Sequence, residues 1–252
     1  MRANRLPAIV IAALSMSACD VAYGPTSPSG EWSTHDSSRY TLYARPGSFA
    51  DASAAALLEV LEDQYAHTNA VFGFPDGPHI SAFLYNNGGE LTPPLPQARA
   101  GVAFPDTNAL HAVAFAPLDD NLRTLITHEA NHVILNGGLG RAGTSFMNEG
   151  LASAVISERY GEIGRTALYK WAGTNRTRLL RISDLIDDST WDSNSNFGYR
   201  TSAAFLAFLI DRYGTAKLRQ VYYAPSADFA RRAAEVYGKP LDALESEWLA
   251  AI

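Results

Sequence analysis

The chain has 252 residues, 47% of them hydrophobic and 18% charged, with a formal net charge of −6. That length and apolar content suffice for one well-packed domain. The acidic balance and the lack of any dense lysine or arginine run argue against a nucleic-acid partner.

At the N-terminus, Arg2 and Arg5 precede the apolar run Leu6 to Leu14. That run is too short to cross a bilayer, which takes about 20 residues. Small residues from Ser15 to Ala18 lead into Cys19, the single cysteine. The pattern resembles a bacterial lipoprotein signal, which implies cleavage after residue 18 and lipid on the Cys19 thiol. It places the protein on the periplasmic side of the cell envelope, and a thiol with no disulfide partner suits that reading. Asp20 resembles the signal that retains some lipoproteins at the inner membrane. Residues 19–38, rich in Ser, Pro and Gly, are expected to form a flexible stalk, with the folded domain over 39–252.

Tyr40 to Tyr43 is expected as a short strand, and Ser48 or Asp51 as the cap of a helix reaching about Val71. His79 to Tyr85 is a second strand, closed by the turn Asn86-Asn87-Gly88-Gly89. A loop with four prolines is expected from Glu90 to Pro105, then a third strand, Ala109 to Ala116, stopped by Pro117. Helices are predicted over 119–136, from Phe146 to about Tyr160, and over 164–172, 199–213, 215–223, 226–236 and 241–251. Strands first and helices afterwards predict an α+β domain, an N-terminal mixed β-sheet lobe with a helical lobe behind it.

The helix over 119–136 contains Thr127-His128-Glu129-Ala130-Asn131-His132. Histidines four apart stand one above the other on a helix, so both imidazoles can reach one ion. Glu129 lies beside that ion without ligating it, where it can take a proton from an attacking water. A catalytic zinc needs a third protein ligand and an open position. Leu135 and Gly138 stand where a metzincin needs glycine and histidine, which excludes that class. Glu149, in Met147-Asn148-Glu149-Gly150-Leu151-Ala152, follows the glycine-rich turn 136–143, which folds its helix back against the first. The carboxylate can then complete a site of His128, His132 and Glu149 for Zn²⁺.

HEANH followed by NEGLA resembles the gluzincins, as in the thermolysin and aminopeptidase N groups, and more closely the peptidase MA-like bacterial metallohydrolases. The pattern extends over most of residues 40–252. The resemblance implies a zincin-like fold, His128, His132 and Glu149 as zinc ligands, Glu129 as general base, and a peptide or protein substrate. It also nominates Tyr199, on a helix downstream of the glutamate, as the donor that stabilises the oxyanion. His111 is a second candidate above the cleft or a structural histidine. Thermolysin-like enzymes carry an acidic residue where this chain has Ser153, so a serine, a backbone carbonyl or Glu158 is left to orient His128. The strand Ala109 to Ala116 occupies the place of a zincin cleft edge, or is an interior strand of the same sheet. Two other readings stay open: a catalytically weak zinc-binding lipoprotein that engages a partner or serves envelope assembly, and a structural lipoprotein without metal. The sequence leaves the oligomeric state open.

Overall fold

A computed structural model describes residues 30–91, 100–160, 164–193 and 195–252; the expected signal segment and Cys19 lie outside these residues. The architecture is α+β, a five-stranded mixed sheet followed by a larger helical part. The chain opens with β1 (Ser33–Asp36), β2 (Tyr40–Ala44), the single turn α1 (Phe49–Ala52) and the long α2 (Ala54–Phe72). Ser48 caps α1 by accepting the Asp51 N–H at 3.1 Å. Gly73 ends α2 at φ 61°, in the left-handed region that suits glycine. Next come β3 (Ile80–Tyr85), the turn α3 (Gly88–Leu91), β4 (Gly101–Phe104) and β5 (Ala109–Val113). The helical part runs through α4 (Asp120–Leu139), α5 (Ser145–Ala154), α6 (Arg165–Thr174), α7 (Ile182–Leu185) and α8 (Asp188–Ser193). It ends with α9 (Ser195–Tyr213), α10 (Thr215–Val221), α11 (Ser226–Tyr237) and α12 (Leu241–Ala251). Among the described residues, no helix is long and apolar enough to cross a membrane.

The strand order is β1-β2-β3-β5-β4, with β2, β3 and β5 parallel and the two edge strands antiparallel. Alternation along each strand divides the side chains between two faces. Leu42, Ala82, Leu84, Leu110 and Ala112 face α2 and α4, where they meet Leu57, Leu61, Ile126 and Val133. Phe83, Tyr85, His111 and Val113 alternate with them along β3 and β5 and so turn to the opposite face. A second core, built from α5, α9, α11 and α12, encloses Phe146, Phe205, Phe229 and Trp248. Helix α5 packs chiefly on α9, and Gly150 permits the close approach. A Cβ at that position would stand 2.6 Å from the Ser202 Cβ.

Several expectations change. Part of the expected stalk, Ser33–Asp36, is β1, paired with β2; hydrogen bonding to a neighbour overrides its polar composition. The strand expected over Ala109 to Ala116 ends at Val113 and is interior, flanked by β3 and β4. The sheet edge on that side is β4, inside the segment expected as a loop; four residues ending at Pro105 are too short for alternation to register. The helix expected to reach Tyr160 stops at Ala154. His111 lies on the sheet face turned away from α4, so it does not serve the cleft. It is 3% exposed, shares a 2.7 Å hydrogen bond with the Tyr85 hydroxyl through Nδ1 and stacks on Phe83. Burial pulls its pKa down to about 4, which keeps the imidazole neutral near pH 7.

Candidate metal centre

Asp119 starts α4 by accepting the Leu122 N–H at 3.0 Å. Nine residues on, the helix presents His128, Glu129 and His132, which are 8%, 7% and 9% exposed. Their spacing brings the two imidazoles together, with ring centroids 4.6 Å apart and planes at 90°. After the glycine-rich turn, Thr144 caps α5 by accepting the Met147 N–H, and the second turn of α5 delivers Glu149.

Three donor atoms converge. Glu149 Oε2 lies 3.1 Å from His128 Nε2 and 3.2 Å from His132 Nε2, and the two Nε2 atoms are 3.0 Å apart. A first-row divalent ion about 2.0–2.1 Å from each donor in tetrahedral array needs donor–donor edges of roughly 3.3–3.4 Å, a few tenths of an ångström wider than the edges here. The triangle is close to that size, and the group can hold a metal ion.

The electrostatics of the metal-free cluster point the same way. Burial alone would lower the pKa of His132, but the Glu149 carboxylate, with Glu129 behind it, outweighs burial and holds it up at about 9. Burial likewise opposes the charged form of Glu149, yet His132 and His128 keep its carboxyl well below the usual carboxylate range. A concentrated negative charge beside two imidazoles is what a divalent cation replaces a proton to reach.

Around the donors, Ser153 Oγ stands 3.0 Å from His128 Nδ1, and Asn148 donates to the second Glu149 oxygen at 3.1 Å. Of the three partners open to His128 from sequence, the serine is the one in place. Glu158 instead accepts the Thr166 N–H. Because a carboxylate partner makes an imidazole a stronger ligand than a hydroxyl does, Ser153→Asp is expected to tighten zinc binding ~10–100-fold. Titration of metal-free protein against a competing chelator checks this, and unchanged affinity would remove Ser153 from the metal's support.

Glu129 is not one of the three donors. Its carboxylate lies against the sheet edge: a Cβ on Gly101 of β4 would stand 2.9 Å from Glu129 Oε1 and 3.0 Å from its Cγ. A side chain at this position would make Glu129 and Leu125 shift. Tyr199 is 9% exposed, with its ring 5.9 Å from that of His128 and 5.2 Å from that of Trp191. The structure therefore brings the Tyr199 ring beside that of His128 and leaves His111 out. Sequence reasoning missed Gly101 and Trp191; a lone glycine in a proline-rich stretch and one tryptophan among four carry no signal until the chain is folded.

A scan against models of known protein families finds no match, and no curated protein matches the chain.

Proposed function

We propose that the protein is a zinc-dependent metallohydrolase of gluzincin type, a peptidase with a zincin-like fold, anchored to the cell envelope by lipid on Cys19. The observation that carries the reading is the convergence of His128, His132 and Glu149 within 3.2 Å of one another, with Glu129 beside them on the same helix. A bound zinc ion would acidify a coordinated water and polarise the substrate carbonyl. Glu129 accepts the proton of the attacking water and returns it to the leaving amine. Tyr199, whose ring lies against His128, is the candidate donor to the oxyanion. The outer edge of β4, next to Glu129, offers backbone groups to which an extended peptide can pair.

The reading is tested on purified full-length protein by metal analysis together with cleavage of a mixed peptide pool. About one zinc per chain and cleavage that chelation abolishes and zinc restores are expected. A chain that takes up no zinc, or a zinc-loaded chain that cleaves nothing, sinks the peptidase. The second of those outcomes would favour a catalytically weak zinc-binding lipoprotein that engages a partner. The neutral Ser153 in contact with His128 is the observation on that side.

A further inference from the structure

Between α2, the metal helix and the end of α5, three polar side chains are completely buried: Gln64 and Thr68 of α2 and Asn131 of α4. Each makes its hydrogen bonds inside the protein. Asn131 Nδ2 donates to the Ala152 carbonyl at 2.7 Å, and its Oδ1 accepts from Thr68 Oγ1 at 2.8 Å and from Gln64 Nε2 at 2.9 Å. Gln64 Nε2 also reaches Thr68 Oγ1 and the Val155 carbonyl, both at 2.9 Å. Gln64 Oε1 accepts the Ser157 N–H at 3.0 Å. The two amide orientations are determined by these partners, because reversing either would set donor against donor or acceptor against acceptor.

The backbone groups held by this cluster are those at the end of α5. Ala152 and Val155 flank Ser153, the residue that meets His128. Asn131 directly precedes His132. The helix that supplies the histidines and the one that supplies Glu149 are thus joined at two points, at Ser153 and at Asn131, and α2 braces the second. Helix α2 itself contributes no donor to the metal group. Polar side chains are costly in an apolar core unless every hydrogen bond is made, and a satisfied network rewards one arrangement over others. A donor triangle with edges of 3.0–3.2 Å tolerates displacements of only about half an ångström.

We propose that Gln64, Thr68 and Asn131 are positioning residues that preset the spacing of α4 and α5 before metal arrives, so that metal affinity, and not only stability, depends on them. This inference rests on the metal-site reading above and adds to it a third helix that supplies no donor.

The test uses the full chain with zinc as the probe, titrated into metal-free protein against a competing chelator. The melting midpoint of the same metal-free samples is recorded in parallel. Thr68→Val keeps the shape of the side chain and removes its hydroxyl; Thr68→Ser keeps the hydroxyl. Gln64→Met keeps the length and removes every hydrogen bond. Thr68→Val and Gln64→Met are expected to weaken zinc binding at least tenfold, with Thr68→Ser within about twofold of the wild type. If Gln64→Met does not fold, the two Thr68 variants decide alone. A Thr68→Val protein that melts lower yet binds zinc as the wild type does overturns the clamp and leaves the metal site standing. A wild type that takes up no zinc overturns the metal reading and the clamp with it.

Discussion

Glu129→Gln is expected to cut peptide hydrolysis by about 10²–10⁴-fold while zinc content stays at the wild-type level. The amide is nearly isosteric with the acid but cannot take a proton from water. Glu129 is outside the donor triangle, so its loss leaves the three ligands in place. Single-turnover cleavage of a peptide pool, with metal analysis of the same sample, reads both quantities. A variant that retains activity removes Glu129 from the chemistry; one that loses its metal makes the residue a supporter of the metal site. Gly101→Ala is the natural companion, since its methyl group would occupy space within 2.9 Å of the Glu129 carboxylate. It should lower turnover with zinc content retained, because Gly101 lies against Glu129, which is not one of the three donors.

Glu149→Ala is expected to abolish stoichiometric zinc uptake, as two imidazoles without an anionic third donor form an incomplete site. It should also change how the metal-free protein responds to pH. The folded-state pKa of His132, held up at about 9, lies above the roughly 6.5 of an unfolded histidine. The pair with Glu149 therefore contributes stability that is fully present below about pH 6.5 and is lost as pH rises through about 9. Glu149, with its pKa depressed, adds stability present above the ordinary glutamate pKa and lost as pH falls below it. Metal-free wild type should then lose stability between about pH 6.5 and 9, whereas Glu149→Ala should lack that loss. Melting curves of both proteins across this range decide the matter. Equal slopes would show that Glu149 does not hold the proton on His132. Since zinc must displace that proton, zinc affinity of the wild type should rise with pH up to about 9.

Much of the centre was legible without coordinates. The i, i+4 histidines and the interposed glutamate need only the helix repeat, and the glycine-rich turn before Glu149 needs only a chain reversal. Placing Tyr199 near the centre came from a family pattern, and folding brings its ring to His128. The α+β order and the three longest helices that flank the site, α2, α4 and α9, also follow from local periodicity.

Other features depend on neighbours distant in the chain. Whether the strand at Ala109–Val113 is an edge or an interior strand depends on the pairing of β4, a four-residue segment with no local signature. The side of the sheet that His111 occupies follows from which face α2 and α4 cover, a matter of which surface the helices bury. The early end of α5 goes with hydrogen bonds that Gln64 and Asn131 exchange with the backbone of residues 152–157, across up to 93 positions of sequence. The amino-acid sequence by itself determined that two imidazoles share one side of α4 with an acid beside them, because helix periodicity alone sets those neighbours. Only the tertiary structure decided that a serine hydroxyl meets His128, that Gly101 makes room for Glu129, and that α2 braces the pair of ligand helices, because each of these contacts exists only once remote segments pack together.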